Sequence, residues 1–156
     1  MIKKLVALLG VSTILGGCSI QQSVEPARVT TGSEICIIEN PDVREGFLNE
    51  FKSALSSKGV QYKVLPKGSS YVACEWTATY LARWTWDLAL YMSYAEINVF
   101  HNGAPEGKAL YDSTRGGANM SKFIDAETKI RELVDQLLQY ETAFLLKSRS
   151  DERTFG

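Results

Sequence analysis

The sequence contains a single histidine, His101, among its 156 residues. A zinc site of the HExxH type, which needs two histidines on one helix, is therefore excluded. The sequence also lacks an aspartate-rich calcium loop, a paired-acid motif and the glycine-rich loop with lysine that binds nucleotide phosphates. His101 lies beside the turn pair Asn102-Gly103 with no serine or cysteine motif around it, so we interpret it as an exposed loop residue. We expect a protein that is not an enzyme and that binds no metal and no cofactor.

Positive charge is scarce as well. Without Lys3 and Lys4, which belong to the amino-terminal segment described next, 15 of the 17 basic side chains remain against 18 acidic ones, a formal charge of −3. No basic patch of the kind that binds nucleic acid or anionic lipid is left. We therefore expect no nucleic-acid partner, and attachment to a membrane has to come from something other than charge.

The chain has no apolar run of the roughly 20 residues that a membrane-spanning helix requires. Its apolar stretch from Leu5 to Leu15 follows two lysines and leads into Leu15-Gly16-Gly17-Cys18. A short positive region, an apolar region and small residues before a cleavage site are the three parts of a secretory signal. The alternative is an ordinary or uncleaved signal in which the cysteine is incidental.

Leu15-Gly16-Gly17-Cys18 resembles the lipobox of bacterial lipoprotein precursors. The resemblance implies that diacylglycerol is attached to Cys18, that residues 1–17 are removed and that the new amino group is acylated with a fatty acid such as palmitate. Two or more acyl chains make a lasting anchor, because one chain alone binds a bilayer only marginally. By resemblance to enterobacterial sorting, Ser19 in place of Asp implies the outer membrane, with the domain on its periplasmic face.

Once Cys18 is set aside, Cys36 and Cys74 form the one remaining pair in an oxidising compartment. A bond between them would close a loop of 38 residues, 74 − 36, and chain entropy would then add roughly 3 to 4 kcal/mol of stability. We favour a disulfide. The alternative is two buried free thiols, which are common core residues.

Polarity and hydrophobic periodicity divide the rest of the chain. Residues 18–33 are polar and without periodicity, which predicts a flexible tether, residues 34–140 form one domain, and residues 141–156 are a frayed tail. Two amphipathic helices and a mostly antiparallel sheet in the order β-α-β-β-β-β-α predict a two-layer α+β sandwich. The predicted elements are strands over Glu34–Glu39, Val60–Leu65, Val72–Trp86, Leu88–His101 with a bulge near Tyr94–Glu96, and Lys108–Ser113, and helices from Asn40-Pro41 to Gly59 and from a cap at Ser121.

The long strand carries an aromatic ladder on its even positions: Trp76, Tyr80, Trp84 and Trp86. Strict alternation marks one apolar face, which a sheet usually buries under helices. We favour core packing over a groove for a glycan, lipid or peptide. The loop Arg115 to Asn119 could offer backbone amides to an anion, but it lacks the P-loop lysine and the dinucleotide spacing, so we interpret it as a connection.

A further set of motifs is Trp86-Asp87, Tyr111-Asp112, Gly116-Gly117, Lys122-Phe123 and Lys129-Ile130, with Cys36 and Cys74 upstream. In these motifs the chain resembles the Sbal-type family of small bacterial lipoproteins, and the resemblance covers about residues 34 to 139, nearly all of the chain after the predicted signal. A looser likeness in element order links the chain to the amino-terminal domain of the translocation protein TolB. The family resemblance implies no assigned activity, and the looser likeness implies binding of other proteins.

These observations together predict a lipid-anchored envelope protein that faces the periplasm. We expect a non-enzymatic binding or assembly module whose partners are the membrane, through Cys18, and another envelope protein. The alternative function is a carrier of a small lipid, glycan or peptide that uses the aromatic ladder as its groove.

Overall fold

A computed structural model describes residues 19–141, so Cys18, the predicted signal peptide at 1–17 and residues 142–156 lie outside the described residues. One six-stranded, mostly antiparallel sheet packs against two helices, which confirms the predicted two-layer α+β sandwich. The elements are β1 (Gln21–Glu25), β2 (Ala27–Thr30), β3 (Glu34–Ile38), α1 (Glu45–Ser57), β4 (Gln61–Leu65), β5 (Trp76–Asp87), β6 (Ala89–His101), β7 (Ala104–Asp112), a 3₁₀ turn (Met120–Phe123), α2 (Ala126–Leu137) and β8 (Leu138–Glu141).

The large sheet has the strand order β1-β7-β6-β5-β3-β4. The neighbours from β1 to β5 are antiparallel, whereas β3 is parallel to both β5 and β4. A second, two-stranded sheet pairs β2 with β8 in parallel. The β3-α1-β4 unit therefore adds two parallel strands to one side of an antiparallel meander, and β4 and β1 are the two outer strands.

The core lies between the helices and one face of the sheet. On α1, Phe47 and Phe51 are fully buried, and the Phe47 ring stacks on Tyr80 of β5 with 5.0 Å between centroids. On α2, Leu133 and Leu137 are fully buried at a spacing of four residues, as an amphipathic helix requires. Each such side chain contributes about 1.5 to 3 kcal/mol through burial.

The predicted flexible tether is wrong over residues 21–30, because these residues form β1 and β2. All but one of the side chains of β1 are exposed, yet its backbone pairs with β7 from Gln21 to Glu25. In β2, Ala27 and Val29 alternate with exposed residues and are fully buried. Polar composition describes side chains, whereas an edge strand is held by its backbone hydrogen bonds. The predicted tail also begins one residue early, since Glu141 still pairs with Thr30 in β8.

Both helices start later than the sequence predicts. The amide of Asp42 donates to Oδ1 of Asn40 at 3.2 Å, so Asn40 closes a turn and α1 begins only at Glu45. Ser121 lies in the 3₁₀ turn and does not cap α2. The cap is Asp125, whose carboxylate accepts the amide of Thr128 at 2.8 Å.

The long hairpin of β5 and β6 follows the predicted alternation with two changes. The strand begins at Trp76 rather than Val72, because Cys74 is tied to β3 and residues 71–75 form turns and bends. The predicted bulge near residues 94–96 lies at Ser93, since Arg83 pairs with Tyr94 and Trp84 with Met92. The return strand β7 also starts at Ala104, directly after Asn102-Gly103, rather than at residue 108.

Candidate functional site

Cys36 and Cys74 are joined in a disulfide with 6.1 Å between their Cα atoms. Cys36 alternates with the buried Ile35 and Ile37, so it points to the face of the sheet opposite the helices. The bond holds the segment before β5 against that face, where the Tyr71 ring stacks on Phe100 with 4.3 Å between centroids. The disulfide therefore crosslinks β3 to the segment before β5, and neither cysteine lines any of the clefts described below.

The aromatic ladder is divided between three environments. Trp76 and Tyr80 belong to the core with 2% and 4% of their surfaces exposed, and the Oη of Tyr80 accepts the amide of Asn40 at 3.1 Å. Burial raises the pKa of the Tyr80 hydroxyl. Trp84 is half-buried with the Arg44 guanidinium 5.5 Å from its ring centroid, and Trp86 is 73% exposed. The alternative of a groove along the whole ladder is therefore wrong. Only the end of the ladder that carries Trp84 and Trp86 is accessible to solvent.

Two clefts share Trp84 and Leu90 in their linings. One of about 490 Å³ is lined by Arg44, Arg83 and Ser93, and the other, of about 400 Å³, by Leu90, Phe123 and further apolar residues. A third cleft of about 500 Å³ lies beyond the end of β3, where Asp42 and Lys67 form an exposed ion pair at 2.6 Å. The acidic and basic side chains that line these clefts are all exposed to solvent.

His101 packs against neighbouring side chains of the sheet. Its ring stacks on Trp76 with 4.3 Å between centroids, and its Nε2 is 3.4 Å from a carboxylate oxygen of the exposed Glu75. Within residues 19–141, no three histidine, cysteine or acidic side chains come close enough to hold a metal ion. His101 is the last residue of β6 and is half-exposed beside the Asn102-Gly103 turn, so the interpretation as an exposed loop residue is wrong about its element.

Backbone polar groups of the loop from Arg115 to Asn119 form hydrogen bonds within the protein. The amides of Gly116 and Asn119 donate to backbone carbonyls at 2.9 and 2.8 Å. The Gly117 carbonyl accepts the ammonium of Lys122 at 2.6 Å, and this buried lysine also binds the Asp87 carboxylate. An anion site needs backbone amides directed at the ligand, whereas this loop presents a carbonyl to a lysine. The structure therefore gives no support to the anion site considered from the sequence, and the loop is a connection.

The outer side of β4 is the first candidate interface, and we call it the open edge. Within the described residues no strand pairs with it. The Leu65 carbonyl accepts the Glu39 amide at 2.8 Å, so the backbone amide and carbonyl of Leu65 point towards β3. By alternation, the backbone amide and carbonyl of Lys63 do the same. Tyr62 and Val64 therefore direct their amides and carbonyls outward, and their side chains are 36% and 38% exposed.

The second candidate surface, the hairpin tip, consists of Trp86, Leu88 and Leu90, which are 73%, 85% and 45% exposed. Trp86 and Leu90 are cross-strand partners, and Leu88 is the single residue between the paired Asp87 and Ala89. Leu88 has a φ of 61°, in the left-handed region that disfavours residues with a Cβ. Met120 of the 3₁₀ turn adds a further exposed apolar side chain to this end of the sheet.

The sequence analysis missed both candidate surfaces. Apolar Tyr62 and Val64 alternating with Gln61 and Lys63 were a signal for the strand, but no local pattern shows that β4 is the last strand of the sheet. For the hairpin tip, the signal was an apolar residue where a turn usually has glycine or asparagine.

No helix within residues 19–141 has the length and apolar character needed to cross a bilayer. No protein-family model matches the sequence, and no curated protein is detectably similar to it. The resemblance to the Sbal-type family therefore stays a prediction.

The chain is similar in structure to the PelC dodecamer of Paraburkholderia phytofirmans, with a TM-score of 0.52 and 12% identity over 76% of this chain and 98% of that chain. A methionine variant of the same dodecamer gives a TM-score of 0.47 and 11% identity over 74% and 90% of the two chains. A minor lipoprotein from Acinetobacter baumannii gives 0.32 and 13% identity over 66% and 82%. The likeness to the first of these structures shows a shared fold.

Proposed function

We propose that this protein is a lipid-anchored envelope lipoprotein that works as a non-enzymatic assembly module on the periplasmic side of the outer membrane. Its anchor is Cys18, and its partner is a protein strand that adds to the open edge of β4. The first partner to test is a second copy of the chain.

The observation that carries the proposal is the open edge itself. Tyr62 and Val64 each present one outward donor and one outward acceptor beside a half-exposed apolar side chain. Such an edge pairs with an added strand, because main-chain hydrogen bonds supply affinity and alternate side chains supply specificity. The fold shared with the PelC dodecamer of Paraburkholderia phytofirmans supports the choice of a second copy, since that protein is a multi-copy assembly.

Val64→Pro tests the edge directly. The substitution removes an outward amide, and proline is tolerated on an outer strand when the missing donor faces away from the sheet. We expect full-chain protein extracted in mild detergent to lose its assembled form, measured by light scattering, while its melting temperature changes little.

Lys63→Pro is the matched control, because it removes an amide directed towards β3. This variant should lower the melting temperature. A photo-crosslinking residue at position 62 should capture protein in cells. Recovery of lipid alone, together with identical assemblies of wild type and Val64→Pro, would contradict the proposal.

The lipid anchor has its own test. Cys18→Ser should leave the precursor uncleaved and without labelled fatty acid, since the thiol that forms the thioether is gone. Ser19→Asp should keep both cleavage and label but move the protein to the inner membrane fraction. Continued processing of Cys18→Ser to the mature size would refute the lipoprotein assignment.

A second candidate function, transport of a small ligand, is favoured by the two clefts beside Trp84. A ligand in either cleft would contact the indole and shift its emission. Titration of Trp84→Leu beside wild type with lipid, glycan and peptide extracts tests this function. A saturable shift that is present in wild type and absent in the variant would support the carrier over the assembly module.

A further inference from the structure

We infer that the hairpin tip docks into the headgroup region of the bilayer that holds the acyl chains of Cys18. This inference rests on the proposed lipoprotein function. It concerns the orientation of the domain, which the lipid anchor alone does not determine.

The register of the sheet puts the hairpin tip and the amino terminus of β1 at the same end of the molecule. Gln21 pairs with Asp112, Asp112 with Tyr94, and Tyr94 with Arg83, so these four residues form one row across β1, β7, β6 and β5. Beyond this row the hairpin continues to Leu88. The chain before Gln21 leaves the sheet on the same side, because β1 begins at the row.

Side-chain contacts tie the start of the described chain to the base of the hairpin tip. Ile20 packs against the core, and a methyl group placed on Gly116 would lie 3.5 Å from Ile20 Cγ1 and 3.7 Å from Lys122 Cβ. The Lys122 ammonium in turn binds the Asp87 carboxylate, next to Leu88. The amino-terminal segment is therefore held close to the hairpin instead of diverging from it.

The short segment between Cys18 and β1 keeps the hairpin tip close to the membrane. Cys18 lies three residues before Gln21, and a fully extended chain of that length spans at most about 11 Å. The hairpin extends from Arg83 to Asp87, four residues, or about 13 Å along the strand. Both lengths are measured from the same row of residues. With Cys18 fixed in a bilayer, the hairpin tip therefore extends beyond the row about as far as the segment that leads to Cys18.

The chemistry of the hairpin tip suits a lipid headgroup region. An indole and two leucines are exposed together there, and tryptophan is enriched where proteins meet the membrane interface. The left-handed backbone at Leu88 is unfavourable for a leucine and is not compensated by packing, because 85% of this residue is exposed. An exposed apolar side chain at such a position is best accounted for by contact with a surface outside the domain.

Fluorescence quenching by brominated lipid tests the docking. Full-chain protein labelled at Cys18 with fatty acid is reconstituted in phosphatidylcholine vesicles with bromine near the headgroup end of the acyl chains. The emission of Trp86 is obtained as the difference between wild type and Trp86→Phe. We expect bromine to remove most of this difference and aqueous acrylamide to have little effect on it.

Leu88→Glu should abolish the quenching by bromine, because a carboxylate opposes entry into the interface. Leu81→Glu is the matched control, since Leu81 is 43% exposed on β5, the strand that carries Trp86, but lies before the row and on the face opposite Trp86. This control should leave the quenching unchanged.

Two results in protein labelled at Cys18 would overturn the docking alone. Quenching of Trp86 by acrylamide and not by bromine would show a tip in water, and protection from both quenchers would show a tip covered by a second copy of the chain. Absence of the fatty-acid label would instead refute the lipoprotein function, and the docking with it.

Discussion

The two halves of the β5–β6 hairpin have the same alternating pattern and opposite surroundings. In the first half, Trp76 and Tyr80 are buried and the Tyr80 ring contacts Phe47 of α1, whereas in the second half Trp86 and Leu90 are 73% and 45% exposed. The strand and the helix that packs on it also differ in length. The 12 residues of β5 extend about 40 Å at 3.3 Å per residue, whereas the 13 residues of α1 extend about 20 Å at 1.5 Å per residue.

This difference teaches that alternation identifies an apolar face but does not show how much of that face is covered. The helices cover the part that they can reach, and the remainder of the same face becomes a surface.

Tyr80→Ala should be the most damaging of these changes. It removes a ring stacked on Phe47 and the oxygen that accepts the Asn40 amide, and loss of a buried aromatic side chain costs about 3 to 5 kcal/mol. Urea denaturation followed by fluorescence measures the free energy of unfolding. A loss below about 1 kcal/mol would mean that the covered half is not a close-packed core.

Replacement of both Cys36 and Cys74 by alanine should lower the free energy of unfolding by about 3 kcal/mol, because the bond closes a 38-residue loop at the covered end. Wild type under reducing conditions should match the double variant. Two free thiols in denatured, unreduced wild type would show that the bond does not form.

Glu96→Gln tests the face of the sheet opposite the helices. Burial raises the pKa of Glu96, but hydrogen bonds from Asn98, Tyr94 and Lys108 outweigh it and leave the pKa below 4.5. The hydrogen bond to Glu96 also raises the pKa of Tyr94 to about 12. A carboxylate with a lowered pKa stabilises the fold above its unfolded pKa, and this stabilisation disappears as the pH falls through the folded value.

Wild type should therefore be more stable than Glu96→Gln by about 1 kcal/mol at pH 7, and this difference should shrink as the pH falls below 4.5. Thermal melts from pH 7 to pH 3 measure the difference. The Glu25→Gln variant, altered on the exposed strand β1, is a suitable control for charge alone. A difference that stays constant with pH would contradict this account.

Trp86→Ala should have the smallest effect on the isolated domain, within about 0.5 kcal/mol, because most of the side chain is already in solvent. The same urea denaturation that is used for Tyr80→Ala measures it. A loss as large as that of Tyr80→Ala would remove the distinction between the two halves of the hairpin.

The positions at which the sequence analysis succeeded and failed have a common cause. Alternation predicted the faces of β5 and β6 and placed the bulge within one residue of Ser93, because these signals depend on neighbouring side chains. The sequence did not predict β1, whose polar side chains conceal a backbone that pairs with a strand more than 80 residues away. It also did not predict the late start of α1, where Asn40 closes a turn with Asp42 and is in addition bound by the distant Tyr80.

The candidate surfaces show the same division. The cysteine pair was predicted because few cysteines leave few possible pairings, and the signal-like segment because its pattern is local. The open edge and the hairpin tip depend on strand order and on which elements reach which part of the sheet. No pattern within a single strand contains this information.

The apolar face of each element, the pairing of Cys36 with Cys74 and the α+β class were all readable from the amino-acid sequence. The outer position of β4, the inclusion of residues 21–30 in the folded domain and the exposure of the hairpin tip became apparent only in the folded chain. The physical reason is that side-chain pattern acts over a few residues. Strand order, backbone pairing and helix cover, in contrast, depend on contacts between parts of the chain that are far apart in sequence.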